Sequence, residues 1–123
     1  IYGCASLSTV VFPKSSLKRI FAWVFNACTA LTDITLPKSI TTLYSGIFAS
    51  CPNLTDFDVE EGFNCNLPLG YCANISQESV SNIITHYKAS SGKTFTVHAD
   101  VFTDIPDEEK ARATAKGLSI AQA

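Results

Sequence analysis

The sequence contains few charged residues and no excess of basic ones. Asp, Glu, Lys and Arg together make up 16% of the 123 residues, and the formal net charge is −2. Proteins that bind nucleic acid or anionic membranes need a basic surface, so this balance supports neither class. Hydrophobic residues make up 46%, a fraction too high for a disordered chain. The composition therefore predicts one compact domain.

Long apolar runs are also missing. No stretch approaches the ~20 apolar residues of a membrane-spanning helix, and no signal peptide opens the chain. We therefore expect no membrane insertion by this sequence. Its first residues, Ile1-Tyr2-Gly3-Cys4, match the middle of the repeat described next. We accordingly expect the chain to begin partway along a longer protein, with any targeting segment upstream.

What the sequence does contain is an internal repeat. Cys4 and Cys28 lie 24 positions apart, and Cys28 and Cys51 lie 23 apart. After the first two cysteines the chain follows one pattern, Cys-x-x-Leu-x-x-(Val/Ile)-x-(Phe/Leu)-Pro-Lys-Ser. The copy that begins at Cys51 follows this pattern as far as Val59 and then degenerates. With five cysteines, complete pairing into internal disulfides is excluded, and the regular spacing favours a structural role.

The spacing indicates how each copy folds. Its last two apolar positions are two residues apart, which is the period of a short strand with one buried face. Proline then ends the strand because it has no N–H to donate to a neighbour. One such unit cannot cover its own apolar face, so several must stack on a shared core, as in a solenoid. Periods of about 20–29 residues are those of leucine-rich repeats.

Residues 31–40 (LTDITLPKSI), followed by residues 47–51 (IFASC), resemble the BspA-like class of leucine-rich repeat. The resemblance covers residues 1 to about 59. It departs from the class around Trp23-Val24 and residues 45–47, in the return segment behind the strand. The resemblance implies a surface or secreted protein that binds a host or cell-surface protein. Such proteins are typical of gut and oral bacteria, and the class also occurs in some protozoa. It also implies that Cys4, Cys28 and Cys51 are buried thiols in a stacked row.

The second half of the chain predicts helices alternating with strands. Ser76 opens a helix whose apolar stripe ends before Ser90-Ser91-Gly92, and a strand follows at 95–97. After a loop, Pro106 begins a second helix that ends at Gly117, and residues 118–120 form a last strand. In the second helix, small side chains predict a face for close packing on a sheet: Ala111, Thr114 and Ala115. Residues 66–69 fit a short strand or a segment of the layer behind the sheet, and the second is slightly favoured.

These patterns together predict an α/β fold. We expect a leucine-rich-repeat solenoid with a parallel sheet on one face, ending in a helix–strand–helix–strand cap. Residues 1–62 would form the repeats, and residues 63–123 would form capping units that continue the same sheet, with helices behind it.

The sequence contains no convincing catalytic, cofactor or metal site. Cys65, Cys72, His86 and His98 lack the close ligand pairs of a zinc site, and nothing marks a thiolate–histidine pair. Residues 90–94 (SSGKT) end like a phosphate-binding loop, but the leading glycine is absent and the segment leads into a strand. We therefore expect no enzyme activity and no cofactor.

The open face of the predicted sheet is the candidate binding site. Residues between the buried strand positions point away from the core, and aligned copies place them in parallel rows. The candidate partner-binding residues are Thr9, Val11, Asp33, Thr35, Asp56, Asp58 and Thr96. Ser119 would join them if the sheet continues, and the three aspartates would form an acidic patch suited to a basic or polar partner.

The sequence thus predicts a non-catalytic protein-interaction or adhesion module, at the cell surface or secreted. Two alternatives remain open at this point: a purely structural cap of a longer solenoid, and a module that binds a glycan or small ligand.

Overall fold

The computed structural model describes residues 5–13, 16–20, 24–44 and 46–123. Every strand pairing in this part of the chain is parallel, as predicted. The elements, in chain order, are β1 (Arg19–Ile20), β2 (Asp33–Leu36), β3 (Thr42–Leu43), β4 (Asp56–Val59), β5 (Leu67–Leu69), α1 (Gln77–His86), β6 (Thr94–Val97), α2 (Ala99–Thr103), α3 (Asp107–Ala115) and β7 (Ser119–Gln122). They form three sheets, with strand orders β1–β3, β2–β4 and β5–β6–β7. Parallel strands and helices together give the predicted α/β class.

Strands β2 and β4 carry the repeat found in the sequence. Ile34 pairs with Phe57 and Leu36 with Val59, an offset of 23 residues. These four side chains are buried, whereas Asp33 on the opposite side of β2 is exposed. The predicted strands and their buried faces are therefore confirmed.

The same offset organises the core behind these strands. Leu31 and Leu54, which begin the apolar pattern of their copies, are both 0% exposed. Phe25 and Phe48 stack with ring centroids 5.6 Å apart and ring planes within 5° of each other. Equivalent residues of successive copies thus lie against one another in a common core. Cys4, which begins the first copy, lies outside the described residues.

A third cysteine follows the two repeat cysteines that the structure describes. Cys28, Cys51 and Cys72 are all buried. The Cys51 thiol donates to the Phe25 carbonyl at 3.0 Å, and the Cys72 thiol lies 3.9 Å from the Phe48 carbonyl. Since Phe25 and Phe48 are equivalent in the repeat, Cys72 occupies the next cysteine position. The third copy, which the sequence suggested to degenerate after β4, thus continues in a shortened form.

Helix α1 covers the outer edge of β4. The Ser79 hydroxyl accepts the Phe57 N–H at 3.0 Å and donates to the Thr55 carbonyl at 3.2 Å. The Ser76 N–H donates to the same Thr55 carbonyl at 2.9 Å. A helix with suitable hydroxyl groups thus takes the place where another strand could pair. The prediction that the β2–β4 sheet continues into later strands is wrong.

The later strands form a sheet of their own. Leu67 of β5 pairs with Phe95 of β6, and Thr94 of β6 pairs with Ser119 of β7. Residues 67–69 are therefore a strand. They also precede Cys72, the cysteine that follows the third copy, so they lie in the returning part of that copy, as the slightly favoured alternative proposed. Helical crossovers connect these strands, because parallel neighbours need a long return path. The predicted strands at 95–97 and 118–120 are both present, with small changes in their bounds.

The first predicted helix is present but ends earlier than expected. The Ser79 N–H donates to the Ser76 hydroxyl at 3.1 Å, so Ser76 caps α1 as predicted. The helix ends at His86 and not at 90–92, because Tyr87 has extended backbone angles (φ −60°, ψ 142°). The Tyr87 hydroxyl donates to the Cys65 carbonyl, so the side chain is fixed in the core. The predicted apolar stripe is buried: Val80, Ile83, Ile84 and Tyr87.

The segment predicted as a loop before α3 contains a short helix, α2. The His98 imidazole caps it by accepting the Asp100 N–H at 3.0 Å. Histidine is not among the usual N-cap residues, so the sequence carried no clear signal for this helix. The second half is therefore ordered helix–strand–helix–helix–strand.

Helix α3 packs differently from the prediction. The residues expected to form a small face are exposed: Ala111, Thr114 and Ala115. Ala113 is buried instead, at 1% exposure. Arg112 connects α3 to α1, donating to the Ser81 hydroxyl at 3.1 Å and to the Thr85 hydroxyl at 3.2 Å. The prediction therefore named the wrong small residues: Ala113 is the one that is covered, and the long side chain of Arg112 adds polar contacts to α1.

The predicted end of α3 is confirmed. Gly117 has a φ of +70°, a conformation that glycine adopts without steric cost. The Leu118 N–H donates to the Ala113 carbonyl at 3.0 Å, and the Gly117 N–H donates to the Thr114 carbonyl at 2.9 Å. This pair of bonds is the Schellman motif, which turns the chain directly into β7.

Candidate partner-binding site

The outward side chains of β2 and β4 form what we call the front face: Asp33, Thr35, Asp56 and Asp58. Asp33 pairs with Asp56 and Thr35 with Asp58 across the two strands. Neighbouring strands lie about 4.8 Å apart, so these side chains sit in two short rows at close spacing. The structure therefore brings together the three aspartates that the sequence predicted to form an acidic patch.

Helix α1 forms a wall beside the front face and completes a shallow groove of about 400 Å³, which we call the acidic groove. Four carboxylates line it, and none of its lining residues is Lys or Arg. Ten residues contribute: Asp33, Ile34, Thr35, Asp56, Phe57, Asp58, Ser76, Glu78, Ser79 and Asn82. The groove is therefore a region of negative charge next to the beginning of a helix.

Two of the aspartates are held in place by neighbours. The Asp58 carboxylate accepts the Val59 N–H at 2.8 Å and the His86 Nδ1–H at 2.8 Å. The Asp33 carboxylate accepts the Thr32 hydroxyl at 3.0 Å. Asp58 and His86 are 32% and 34% exposed, so water screens their attraction. The carboxylates keep free lone pairs that can accept further hydrogen bonds from a partner.

A second groove of about 390 Å³ adjoins the first along β2, and we call it the apolar groove. It shares Asp33 and Thr35 with the acidic groove and extends to Thr9 and Val11. Val11 is 88% exposed, which is unusual for an aliphatic side chain beside a core. Six of the seven predicted binding residues thus lie on one continuous surface. It is acidic around Asp56 and Asp58 and more apolar around Val11, where Glu60 also lines the groove.

The seventh predicted residue, Thr96, lies elsewhere. It is on β6, in the separate β5–β6–β7 sheet, where it pairs with Pro68 and Ala121. Ser119 also belongs to that sheet, on β7. The prediction that Thr96 and Ser119 share a face with Asp33 is wrong, because α1 ends the front sheet at β4.

A comparison with protein families agrees with the repeat. The family described as the BspA type leucine rich repeat region matches residues 1–96, in six copies. The chain belongs to the BspA-type leucine-rich repeat family. No curated protein and no solved structure matched the chain. The family match extends beyond β4 and includes β5, α1 and most of β6.

The sequence of this leucine-rich repeat chain carries a signal for the α1 wall that the spacing of apolar residues does not reveal. The Asn53 side-chain amide donates to the Thr29 carbonyl at 2.7 Å, and the Asn74 amide donates to the Pro52 carbonyl at 2.8 Å. Asn53 and Asn74 follow their repeat cysteines by the same two positions. That shared Cys-x-Asn pattern indicates that the segment entering α1 lies next to β4.

Three of the buried cysteines have thiols that resist ionisation. Burial raises the pKa of the Cys72 thiol to about 12 and also raises the pKa of Cys51 and Cys65. A protonated thiol is a poor nucleophile and a poor metal ligand. Within the described ranges, no group of three or more His, Cys, Asp or Glu side chains is arranged to hold a metal ion. None of the helices described is long and apolar enough to cross a membrane.

Proposed function

We propose that this leucine-rich repeat chain is a non-catalytic module that binds a protein partner through its front face and the two adjoining grooves. The observation that carries the proposal is the continuous surface that joins exposed Val11 to the carboxylates of Asp33, Asp56 and Asp58. Repeat proteins of this family often mediate protein interactions, which supports the same assignment.

The chemistry of this surface favours a partner segment with basic side chains. Carboxylates on neighbouring strands repel one another, so a Lys or Arg between them relieves that repulsion and forms charge-assisted hydrogen bonds. At the other end of the surface, an apolar side chain that covers Val11 removes its methyl groups from water. Charge complementarity mainly sets association rate and specificity, and the apolar contact adds affinity.

We further propose that the repeats stack as a solenoid. Several hydrogen bonds connect residues one repeat apart, such as the Thr41 hydroxyl to the Lys18 carbonyl and the Lys38 N–H to the Glu60 carboxylate. Stacked copies would display the front face as a ladder in which each added repeat enlarges the surface. A location at the cell surface or outside the cell is part of this proposal, supported by what is typical of the family.

The test compares three forms of the chain in affinity capture from cell-surface protein extracts, with quantitative mass spectrometry. The forms are the wild type, the front-face variant Asp33→Lys/Asp56→Lys, and a control with the same charge change, Asp104→Lys/Glu108→Lys. Asp104 and Glu108 are exposed and line neither groove. We expect the front-face variant to lose proteins that the wild type and the control both retain.

Equal capture by all three forms would contradict binding at the front face and would favour a second function, that of a structural cap. One observation supports this alternative: the Ser79 hydroxyl of α1 occupies the β4 edge, which stops the front sheet from growing. A cap is then expected to raise the unfolding temperature of further repeats that are joined to it, whatever the charge of the front face.

A further inference from the structure

Strand β7 leaves one edge of the β5–β6–β7 sheet open. The Ser119 N–H donates to the Lys93 carbonyl at 2.9 Å, and the Ala123 N–H donates to the Val97 carbonyl at 2.8 Å. In a parallel ladder, alternate residues of a strand bond the same neighbour. Ser119, Ala121 and Ala123 therefore direct their backbone groups toward β6, and the backbone groups of Ile120 and Gln122 point away from it.

Apart from being short, this open edge lacks the usual protections against pairing. Proteins guard free strand edges with charged side chains, proline, bulges or a covering helix. The four residues of β7 are Ser119, Ile120, Ala121 and Gln122, and none is charged or proline. No other described segment bonds the outward backbone groups of this strand. The edge of β4 provides the contrast, since Ser79 of α1 occupies it.

We propose that β7 pairs in antiparallel orientation with β7 of a second copy of this chain. The two three-stranded sheets would then join into one continuous sheet across a two-fold axis. The occupant is a second copy because the edge is complementary to itself. When Ala121 faces its own counterpart on the axis, Ile120 of each copy faces Gln122 of the other. Each such pair exchanges both of its N–H···O bonds, so every outward backbone group of β7 is satisfied.

Other self-pairing registers fit less well. A register centred on Ile120 would place Gln122 opposite Leu118 of the second copy, but the Leu118 N–H already donates to the Ala113 carbonyl. The register centred on Ala121 avoids this conflict. It also places the smallest side chain of the strand at a non-hydrogen-bonded position, where opposing Cα atoms approach to about 4.5 Å.

The surroundings of β7 are compatible with this pairing. Ile120 packs against the core but remains partly exposed at the edge, and a second copy would cover it. The neighbouring helix α3 carries both charge signs: its acidic first turn is followed by Lys110 and Arg112. Two copies are therefore not driven apart by a large charge of one sign. A strand pair this short buries little surface, so the association is expected to be weak and concentration-dependent.

Disulfide trapping tests the register directly. Opposing Cβ atoms of an antiparallel pair lie about 4.5–5.5 Å apart, close enough for a disulfide after a small adjustment. We expect Ala121→Cys to form covalent dimers under mild oxidation. The matched control is Ser119→Cys, because residue 119 faces residue 123 of the second copy and not its own counterpart. The wild type, with its native cysteines, gives the background, and equal dimer yields from both variants would overturn the proposal.

Sedimentation of the 123-residue chain over a range of concentrations tests the hydrogen bonds. We expect the mean mass of the wild type to rise from 13.3 kDa toward twice that value. Gln122→Pro removes an outward N–H that β6 does not use, so it should remain monomeric, whereas Gln122→Thr should associate like the wild type. A wild type that stays monomeric throughout, or a proline variant that associates equally, would contradict the pairing. If the proline variant unfolds, the disulfide test still decides.

Discussion

The β2–β4 pair and the β5–β6–β7 sheet are both parallel, but their strands are joined in different ways. The offset between paired residues is 23 between β2 and β4, 28 between β5 and β6, and 25 between β6 and β7. Between β2 and β4 the chain returns through irregular segments, whereas helices make the later crossovers. The longer offsets accommodate these helices and still keep parallel register.

The two sheets also end differently. In the front sheet, the Ser79 hydroxyl of α1 bonds the Phe57 N–H and the Thr55 carbonyl at the outer edge of β4. The sheet therefore stops at β4, and α1 forms a polar wall beside it. The β5–β6–β7 sheet ends at β7, with the backbone groups of Ile120 and Gln122 directed outward. One chain can thus end one sheet with a side-chain hydroxyl, that of Ser79, and leave the edge of another sheet open. The first arrangement favours a bounded binding groove, and the second favours growth by pairing.

The largest effect is expected from removing a large side chain from the repeat core behind the front face. Phe57 is 1% exposed, and its ring lies 5.4 Å from that of Phe48. We expect Phe57→Ala to lower the free energy of unfolding by about 3–5 kcal/mol, because it removes a large apolar side chain and leaves a cavity. Val11→Ala is the control, since Val11 is 88% exposed and should change stability by less than about 0.5 kcal/mol. Urea unfolding measures both, and similar losses would contradict the assigned core.

A smaller effect is expected where Ser79 of α1 meets the edge of β4. Replacing Ser79 with Ala leaves the buried N–H of Phe57 without an acceptor, which should cost about 1–3 kcal/mol of unfolding free energy. Amide exchange at Phe57 should also become faster. The matched control is Ser119→Ala at the exposed start of β7, where only the backbone takes part in pairing. Unchanged exchange at Phe57 would show that α1 does not seal the β4 edge through this hydroxyl.

The sequence predicted local features better than the arrangement of the two sheets. The 23-residue period and the alternation of side chains along each strand were sufficient to place Leu31, Ile34 and Leu54 in the core. The apolar period alone could not show that α1 lies beside β4. The Cys-x-Asn pattern shared by Asn53 and Asn74 indicated the contact, but the closed edge depends on the Ser79 hydroxyl meeting the Phe57 N–H. For the same reason, Thr96 was assigned to the wrong sheet. The spacing of apolar residues does not reveal which polar side chains will bond where a helix meets a strand.

The packing of α3 shows a similar limit. Ala111 and Thr114 have the spacing of a buried helix face, but only Ala113 is covered. The helix is held by Arg112, a residue that sequence patterns assign to solvent by default. Within the acidic groove, the three aspartates were predicted from strand alternation, whereas Glu78 and Asn82 required knowing where α1 lies.

The smallest effect is expected from the ion pair between Glu109 and Arg112 in α3. The hydrogen bond from Arg112 lowers the pKa of the Glu109 carboxyl below its usual value of 4.5, and the charge of Arg112 adds to this effect. A carboxyl with a lowered pKa in the folded state stabilises the fold above its unfolded-state pKa. That contribution is lost as the pH falls through the lower, folded-state value. Glu109→Gln should therefore reduce stability at pH 7 by less than about 1 kcal/mol, since surface ion pairs contribute little. Below the folded-state pKa the stabilities of the variant and the wild type should converge.

Thermal unfolding between pH 7 and pH 3 measures this, with Glu108→Gln as control because Glu108 is exposed in the same helical turn. A constant difference between Glu109→Gln and the wild type across that range would show that Glu109 does not act through its charge.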